Sequence, residues 1–296
     1  MMVTAHMKRL LLIVFVAVLA FCACTAPVRQ EAAVDTVVDS YGRKVAVPTH
    51  PRRVVSLSPA VTEIMYAIGA QDLLVGRTDF CVYPPEAESI PTIGGISNMS
   101  VERVLSMNPD MVICGSMVNR KNADQIDGMG TPIVCVVEQP SFEGLYDNIA
   151  MIGRLVGRQD EANRLNDSLR RAVSSLPATD ATPKSCYYVV GFGPAGNFTA
   201  GGNTFINDII RLAGGRNIAE SVTGWNYSME ALMKEDPDYI IVRREDSAAF
   251  CDMKPYNRLS AVKNGHVIGI VSGTLDLQVP RNIDAILYLR KRMNNK

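Results

Sequence analysis

The chain contains two copies of one segment. The stretch from Asn98 to Ile113 matches the stretch from Asn226 to Ile241 without a gap, at an offset of 128 positions. The identical positions are an asparagine, a serine, a glutamate, a proline, an aspartate and an isoleucine, and the apolar positions between them stay in phase. A unit used twice at this separation predicts two similar lobes, and two lobes create a cleft between them in which a ligand can bind.

Each copy predicts a helix followed by a strand. Ser100 and Ser228 are candidate N-caps, because a serine oxygen accepts from the free backbone N–H groups of the first helical turn. Pro109 and Pro237 end the helix, and a short apolar run follows each proline. A helix, a tight turn and an apolar strand are half of a βαβ unit, so we predict an α/β fold with two similar lobes and mainly parallel sheets.

A helical segment separates the two copies. Residues 51–140 are predicted to form an N-terminal α/β lobe, and residues 179–296 a C-terminal one. Between them, residues 141–178 carry apolar side chains at helical spacing, with one break at Gly157. Because a helix is a stiff connector, we expect a long rigid backbone helix to join the lobes and leave the ligand cleft between them.

The N-terminus is predicted to be a signal peptide. Lys8 and Arg9 precede an apolar run, Leu10 to Phe21, that is too short to span a membrane. We therefore assign residues 1–23 to a lipoprotein signal peptide and residues 24–50 to a polar leader.

The end of this signal resembles a lipobox, in which a cysteine becomes the lipidated first residue. Cys24 is preferred over Cys22, because the small Ala23 precedes Cys24 whereas the bulky Phe21 precedes Cys22. Removal of both cysteines with an ordinary signal peptide is the alternative. We expect the mature protein to lie at the periplasmic face of a bacterial membrane, attached to it through this lipid anchor only.

Composition argues against two kinds of partner. The chain has 30 basic and 30 acidic residues, so no excess of positive charge predicts nucleic-acid binding. The five cysteines that follow Cys24 are odd in number and lack CxxC spacing, which favours buried thiols over a zinc site or a disulfide framework. His50 and His266 are the only histidines beyond the signal, so we predict no metal site made by the protein itself.

Five blocks, in order, carry a family resemblance: RRVVSLSPAVTEIMYAIGA, GRTDFCVYPPEA, SVERVLSMNPDMVI, TFINDIIRLAGGRNIA and YSMEALMKEDPDYIIV. Together they resemble the periplasmic binding proteins that deliver cobalamin, ferric siderophores or haem to ABC importers, and the resemblance runs from Arg52 to the C-terminus. It implies two lobes joined by a rigid helix, no enzymatic activity, no permanently bound cofactor, and docking of both lobes onto a membrane permease. We expect a monomer.

The resemblance also implies a role for two glutamates. An acidic residue on each lobe engages arginines of the permease in that family, and the matching positions here are Glu102 and Glu230. The alternative is that both carboxylates only stabilise the start of a helix, where the dipole favours negative charge.

Cleft residues are expected in loops that follow strands, because ligands of open parallel sheets bind beyond the carboxyl ends of the strands. Aromatic and apolar side chains are frequent there, and each of them has packing within its own lobe as an alternative. Trp225, the only tryptophan, is the strongest candidate. The predicted ligand-binding residues are Phe80, Tyr83, Ile96, Asn98, Met117, Phe192, Phe198, Trp225, Tyr227 and Asp276.

The predicted ligand is a corrinoid or a ferric chelate, with cobalamin favoured because the GRTDFCVYPPEA block is closer to cobalamin binders. A ferric siderophore or haem is the alternative, with Tyr83 or Tyr227 as a ligand to haem iron. Two departures bear on cobalamin. Ile96 stands where those proteins present an aromatic residue, and the stretch from Gly273 to Val279 lacks the arginine that some place near the ligand.

Two other classes of function are alternatives to a receptor. A two-lobed lipoprotein enzyme has its nearest support in the glycine-rich stretch from Gly191 to Gly196, but Pro194 removes a backbone N–H that a phosphate would need. A purely structural surface lipoprotein is the third class, which differs from a receptor in that no small molecule would stabilise its fold.

Overall fold

A computed structural model describes residues 34–96, 98–178 and 182–294. The predicted signal peptide at 1–23 and the predicted lipidation site, Cys24, lie outside these residues. No helix within the described ranges combines the length and the apolar character needed to cross a bilayer.

The first described residues form a hairpin of two antiparallel strands, β1 (Val34–Val38) and β2 (Lys44–Pro48). Both strands lie in the segment 24–50 that the sequence assigned to a polar leader, for which no secondary structure was predicted. Val37, Val45 and Val47 are buried in the main apolar core while their neighbours face solvent. The strands are short and only one face of each is apolar, so the polar composition of the leader concealed them.

Asp39 holds the turn of this hairpin. Its carboxylate accepts the backbone N–H groups of Tyr41 and Arg43 at 3.0 and 2.9 Å and pairs with the Arg43 guanidinium at 2.7 Å. Burial opposes ionisation, but these bonds outweigh it and lower the pKa of Asp39. Arg43 also donates to the carbonyl of Ile133 at 3.1 Å, which attaches the hairpin to the edge of the neighbouring sheet.

The described part of the chain contains two separate sheets of four parallel strands each. The first sheet has the spatial order β4-β3-β5-β6, and its strands are β3 (Val54–Leu57), β4 (Leu74–Arg77), β5 (Met111–Cys114) and β6 (Ile133–Cys135). The helices of this half are α1 (Pro59–Ala67), α2 (Val101–Ser106) and α3 (Arg120–Gly128).

Both faces of the first sheet are buried. Val54 and Met111 face the main core, whereas Val55 and Val112 face a second apolar cluster that includes Val104 of α2. Strands covered on both sides need unbroken apolar runs, and this explains why they could be recognised in the sequence.

The linking segment is helical and breaks at Gly157, as predicted, but it folds back on itself. Helix α4 (Gly144–Leu155) and helix α5 (Gln159–Ser174) run side by side. Asn166 donates to the carbonyl of Tyr146 at 2.9 Å, and Arg170 pairs with Glu143 at 2.9 Å. The link is therefore a helical hairpin and not a single straight rod. It reverses at Gly157, whose φ of 67° lies in the left-handed region.

This hairpin joins the two halves of the molecule. Helix α4 packs against α1 of the first half, and α5 packs against the C-terminal helix of the second half. Leu145, Ile152 and Leu169 of the hairpin belong to one apolar core that includes residues of both halves.

The second sheet repeats the arrangement, with the spatial order β10-β9-β7-β8. Its strands are β7 (Lys184–Tyr188), β8 (Gly215–Asn217), β9 (Tyr239–Arg243) and β10 (Val267–Ile270). Its helices are α6 (Phe205–Leu212), α7 (Met229–Glu235), α8 (Ser247–Asp252), α9 (Ser260–Lys263) and α10 (Asn282–Asn294). Short 3-10 helices lie at Gln71–Leu73, Pro85–Ser89, Arg244–Asp246 and Tyr256–Arg258. The predicted α/β fold with two similar lobes is confirmed.

The duplicated segment forms the same structure in both halves. Ser100 caps α2 and Ser228 caps α7, each by accepting the N–H of the residue three positions later, at 3.2 and 3.0 Å. Each helix is followed by a residue with positive φ at the equivalent position, Asn108 (47°) after α2 and Asp236 (40°) after α7. The predicted helix and strand of each copy are therefore confirmed.

Polar bridges also connect the halves beside the hairpin. Gln278, which is fully buried, accepts the N–H of Gln139 at 3.0 Å and donates to the carbonyl of Ser141 at 2.8 Å. Asp208 of α6 accepts the N–H of Phe142 at 3.0 Å. These bonds fix the second half to the chain as it leaves the first.

Candidate functional site

A cavity of about 680 Å³ lies between the two halves, at the carboxyl ends of both sheets. The first half contributes Pro59 after β3, Phe80 after β4 and Met117 after β5; the second contributes Arg243, which ends β9, and Val271, which follows β10. Ligands of open α/β sheets bind in this position, and the volume falls within the usual range for small-molecule sites.

Exposed apolar side chains are concentrated on this cavity. Phe80, Tyr83 and Met117 are 61%, 46% and 66% exposed, and all three line it together with Val82 and Val271. Single exposed apolar residues are ordinary, but a group of them around one concave surface marks a binding site. A ligand that covers them gains roughly 25 cal/mol for each Å² of apolar surface removed from water.

An ion pair between the halves lies beside these side chains. Arg281, just before α10, donates from Nε and Nη2 to the two carboxylate oxygens of Glu63 in α1, each at 2.7 Å. Its third nitrogen donates to Thr274 Oγ1 at 3.0 Å, and its Cζ lies 4.4 Å from the centre of the Tyr83 ring. The guanidinium therefore joins the halves and orients Tyr83 in the cavity wall.

Glu63 depends on this partner. Burial raises the pKa of its carboxyl group, and the hydrogen bonds and positive charge of Arg281 oppose the rise. Only 5% of Glu63 is exposed. Without Arg281, the carboxylate would be a buried charge with no counter-charge, which is strongly unfavourable.

A second arginine is held by Asp276. The Asp276 carboxylate accepts from Arg243 Nε at 3.1 Å, from the backbone N–H of Gly273 at 3.3 Å, and from the hydroxyl of Tyr188. Burial and the charge of Asp276 raise the pKa of Tyr188 well above its ordinary value. Asp276 lines the cavity, yet its oxygens are bonded within the protein, so its main effect is to position Arg243.

The structure places half of the predicted ligand-binding residues on the cavity. Three of them, Phe80, Tyr83 and Met117, present exposed apolar surface there. Ile96 also lines the cavity but is 4% exposed and packs mainly in the core of the first half. Asp276 is the fifth.

Trp225 and Asn98 are not among the described residues that line this cavity. Trp225 is exposed on a loop of the second half, where its carbonyl accepts the N–H of Thr199 at 2.7 Å. Asn98 is exposed, and its side chain lies against Gly95, where an added Cβ would come within 2.3 Å of Asn98 Oδ1.

The other predicted aromatic residues pack within the second half. Phe192 meets Phe250 edge to face, with 5.3 Å between ring centres, and Tyr227 lies 5.6 Å from Tyr187. The backbone of Phe198 forms isolated antiparallel bridges with Gly191 and Asn226, both in the second half. None of the three is among the described residues that line the cavity, and a ligand contact by them or by Trp225 stays a prediction.

Five charged residues that line the cavity are absent from the predicted ligand-binding set: Glu63, Asp79, Glu138, Arg243 and Arg281. The available signal was Glu63 itself, an acid in the otherwise apolar stretch from Pro59 to Ile68. Its partner, however, stands 218 positions further along the chain.

Glu102 and Glu230 occupy equivalent places, one on each half. Each is the second residue of its helix, α2 or α7, and each is exposed. The two halves therefore present the same side chain from the same structural position.

The cavity offers little for direct metal ligation. Among residues 34–96, 98–178 and 182–294, no group of three or more His, Cys, Asp or Glu side chains is placed to hold a metal ion. His50 and His266 do not line the cavity. The described cysteines are free thiols, of which Cys114, Cys135 and Cys186 are buried in strands, as predicted.

Known proteins resemble this chain over most of its length. A substrate-binding lipoprotein of an ABC transporter from Bacillus subtilis, YvrC, is 29% identical over 261 residues, which is 85% of this chain and 82% of that protein. A cobalamin-binding protein from Halobacterium salinarum is 28% identical over 290 residues, 92% of this chain and 76% of that protein. The periplasmic haem-binding protein HutB of Vibrio cholerae has the same fold, with a TM-score of 0.75 and 22% identity over 82% of this chain and 99% of that one.

A family model described as periplasmic binding protein matches residues 54–272, from the first strand of the first sheet to the loop that lines the cavity. The matched region includes both sheets, the helical hairpin and most of the cavity wall. The chain therefore belongs to the periplasmic binding protein family.

Proposed function

We propose that this chain is the substrate-binding component of an ABC importer, anchored by lipid on Cys24 at the periplasmic face of a bacterial membrane, and that it captures a metal chelate, with cobalamin favoured. The observation that carries the proposal is the cavity between the halves with its exposed wall of Phe80, Tyr83 and Met117. The names of the Bacillus and Halobacterium relatives support the transporter, the lipid anchor and the corrinoid.

A preformed chelate fits this wall better than a free metal ion. Flat apolar side chains gain binding energy by covering a large ligand, whereas a free ion needs several oxygen, nitrogen or sulfur ligands. A corrinoid arrives with its metal already coordinated. A ferric siderophore satisfies the same requirement and remains the alternative, as does haem, whose iron the Tyr83 hydroxyl could ligate.

Delivery would use both halves. Glu102 and Glu230 are exposed at equivalent positions, and a permease with two related subunits offers two related contacts. We propose that these carboxylates meet arginines of the permease and that the protein acts as a monomer.

The enzyme alternative finds no support in the glycine-rich loop. The N–H of Gly193 donates to the hydroxyl of Tyr256 at 2.9 Å, and Pro194 has no N–H to offer. Neither residue lines the cavity. We therefore propose a binding protein without enzymatic activity.

Calorimetric titration with cyanocobalamin, haemin and a ferric trihydroxamate tests the proposal. We expect one of the three to bind with a micromolar or tighter Kd, and Met117→Ala to weaken that binding several-fold through lost apolar contact. Met129→Ala is the matched control, because Met129 is equally exposed but lies outside the cavity. Binding of none of the three, or equal effects of the two substitutions, would reject the proposed site.

A further inference from the structure

Acidic side chains outnumber basic side chains around the cavity. Two guanidinium groups and four carboxylates line it: Arg243, Arg281, Glu63, Asp79, Glu138 and Asp276. The formal charge of the wall is therefore negative, although the chain as a whole is balanced.

Both arginines are already neutralised by the protein. Arg281 donates twice to Glu63 at 2.7 Å, and Arg243 donates to Asp276 at 3.1 Å. A ligand carboxylate could bind either guanidinium only by displacing Glu63 or Asp276. The displaced side chain would then lose its hydrogen bonds to the arginine. Such an exchange leaves a partly buried anion behind and gains little.

Asp79 and Glu138, in contrast, have no cationic partner within 4.0 Å among the described residues. Asp79 accepts from the hydroxyl of Thr92, and Glu138 accepts from the hydroxyl of Ser116 at 2.7 Å. An ionised carboxyl group can accept about four hydrogen bonds, so each keeps free positions towards the cavity.

These two carboxylates stand on either side of the apolar wall. Asp79 follows β4 and Glu138 follows β6, which are the two outer strands of the first sheet. Pro59 and Met117, which follow the two inner strands, lie between them along the carboxyl edge. A ligand seated on that wall therefore brings its periphery towards both anions.

We infer that Asp79 and Glu138 set the charge preference of this cavity, so that it accepts chelates whose periphery presents amide N–H or ammonium groups and rejects those whose periphery carries carboxylates. The inference rests on the proposed chelate-binding function. Amide and ammonium groups donate to the free carboxylate positions, whereas a ligand carboxylate meets like charge without an available cation.

Matched pairs of probes isolate charge from shape. Cyanocobalamin and its monocarboxylic derivative, in which one peripheral amide is hydrolysed, have nearly the same size and differ by one negative charge. The N-succinyl derivative of ferrioxamine B, which carries a terminal carboxylate, and the corresponding primary amide provide the same comparison for a hydroxamate. Whichever pair has a binding member is titrated by calorimetry, in low salt and again with added NaCl.

We expect the acidic member to bind at least about five-fold more weakly in low salt, with a smaller ratio in high salt because Asp79 is exposed and its charge is screened. The double variant Asp79→Asn with Glu138→Gln should bring the ratio close to one. Asp127→Asn, which neutralises an exposed carboxylate of α3 away from the cavity, should leave it unchanged.

The outcomes separate the two proposals. Equal binding of both members by the unaltered protein, a ratio that survives the double substitution, or binding of haemin alone, whose periphery carries two carboxylates, overturns the charge preference while the chelate receptor stands. Binding of neither cyanocobalamin, ferrioxamine B nor haemin overturns the receptor and the preference together. Thermal unfolding of each variant shows that the fold is retained.

Discussion

Arg281 makes the contact on which one side of the cavity depends. It binds Glu63 with both arms of its guanidinium group, bonds Thr274 and carries the ring of Tyr83. Only 15% of its side chain is exposed. If the arginine is removed, water can therefore replace few of these interactions. A single side chain thus connects the two halves and shapes the surface that a ligand would meet.

We expect Arg281→Met to lower the free energy of unfolding by about 3 kcal/mol at neutral pH, because it leaves the Glu63 carboxylate buried without a counter-charge. Loss of the guanidinium raises the pKa of Glu63 further in the folded protein. The folded protein then holds the proton to a higher pH than the unfolded chain does. The variant's stability is therefore retained at acidic pH and lost as pH rises through the folded pKa. Urea unfolding from about pH 5 to pH 8 measures it.

Arg211→Met is the control for this prediction. Arg211 pairs with Asp208 at 3.1 Å, but its side chain is 71% exposed, so we expect a change below about 1 kcal/mol with little pH dependence. A deficit of Arg281→Met that stays constant or shrinks as pH rises would contradict the role given to Glu63.

At this scale the sequence predicted the exposed apolar side chains of the cavity wall and missed the ion pair that joins the two halves. Phe80 and Met117 follow strands, and an apolar side chain in such a loop is recognisable from position alone. Glu63 and Arg281 acquire their role only when the fold brings together helices that are far apart in the chain.

The helical hairpin α4–α5 is the element that most affects how the halves are held. Its reversal depends on Gly157, which adopts a positive φ, and its close packing depends on Gly153, where an added Cβ would come within 2.4 Å of Ala162. In the sequence, each of these glycines is only an isolated glycine in a helical pattern. The sequence therefore predicted a break in the helix but not that the chain reverses there.

Gly157→Ala should destabilise the protein by about 1 kcal/mol, since an L side chain is strained in the left-handed region. Gly128→Ala is the matched control. Gly128 ends helix α3, has no positive φ, and like Gly157 has open space where a Cβ would lie. There alanine should be neutral or stabilise by up to about 1 kcal/mol, because glycine weakens a helix. Equal effects in urea unfolding would mean that the backbone of Gly157 is not under this constraint.

Elements with strong local signals were predicted and weak ones were not. The two copies of the duplicated segment each supplied a cap, an apolar stripe, a proline and a buried strand, and all of these reinforce one another. The β1–β2 hairpin offered only three apolar valines in a polar setting, and the contacts of Asp39 and Arg43 attach it to the edge of a sheet formed much later in the chain.

At the scale of the whole molecule, the duplication places one glutamate on each half. We expect the double charge reversal Glu102→Arg with Glu230→Arg to abolish permease-dependent uptake of the chelate in cells, because both proposed contacts would become repulsive. Affinity for the chelate should stay intact, since neither residue lines the cavity. Uptake of radiolabelled ligand and calorimetry measure the two quantities.

A second double variant, Asp127→Arg with Glu220→Arg, makes the same change in charge at exposed sites, again one on each half. It should import the chelate normally. Normal uptake by the Glu102→Arg, Glu230→Arg protein, or an equal loss in both double variants, would remove the docking role.

The apolar core that continues beneath the cavity from one half to the other limits how such a receptor can report its state. Separating the halves would expose Leu145, Ile152 and their neighbours to water, and the exposure of this apolar surface costs free energy. Loaded and empty protein should therefore present almost the same outline to a membrane partner. We therefore expect a membrane partner to distinguish the two states by the ligand exposed at the opening of the cavity, and not by a change in the positions of the halves.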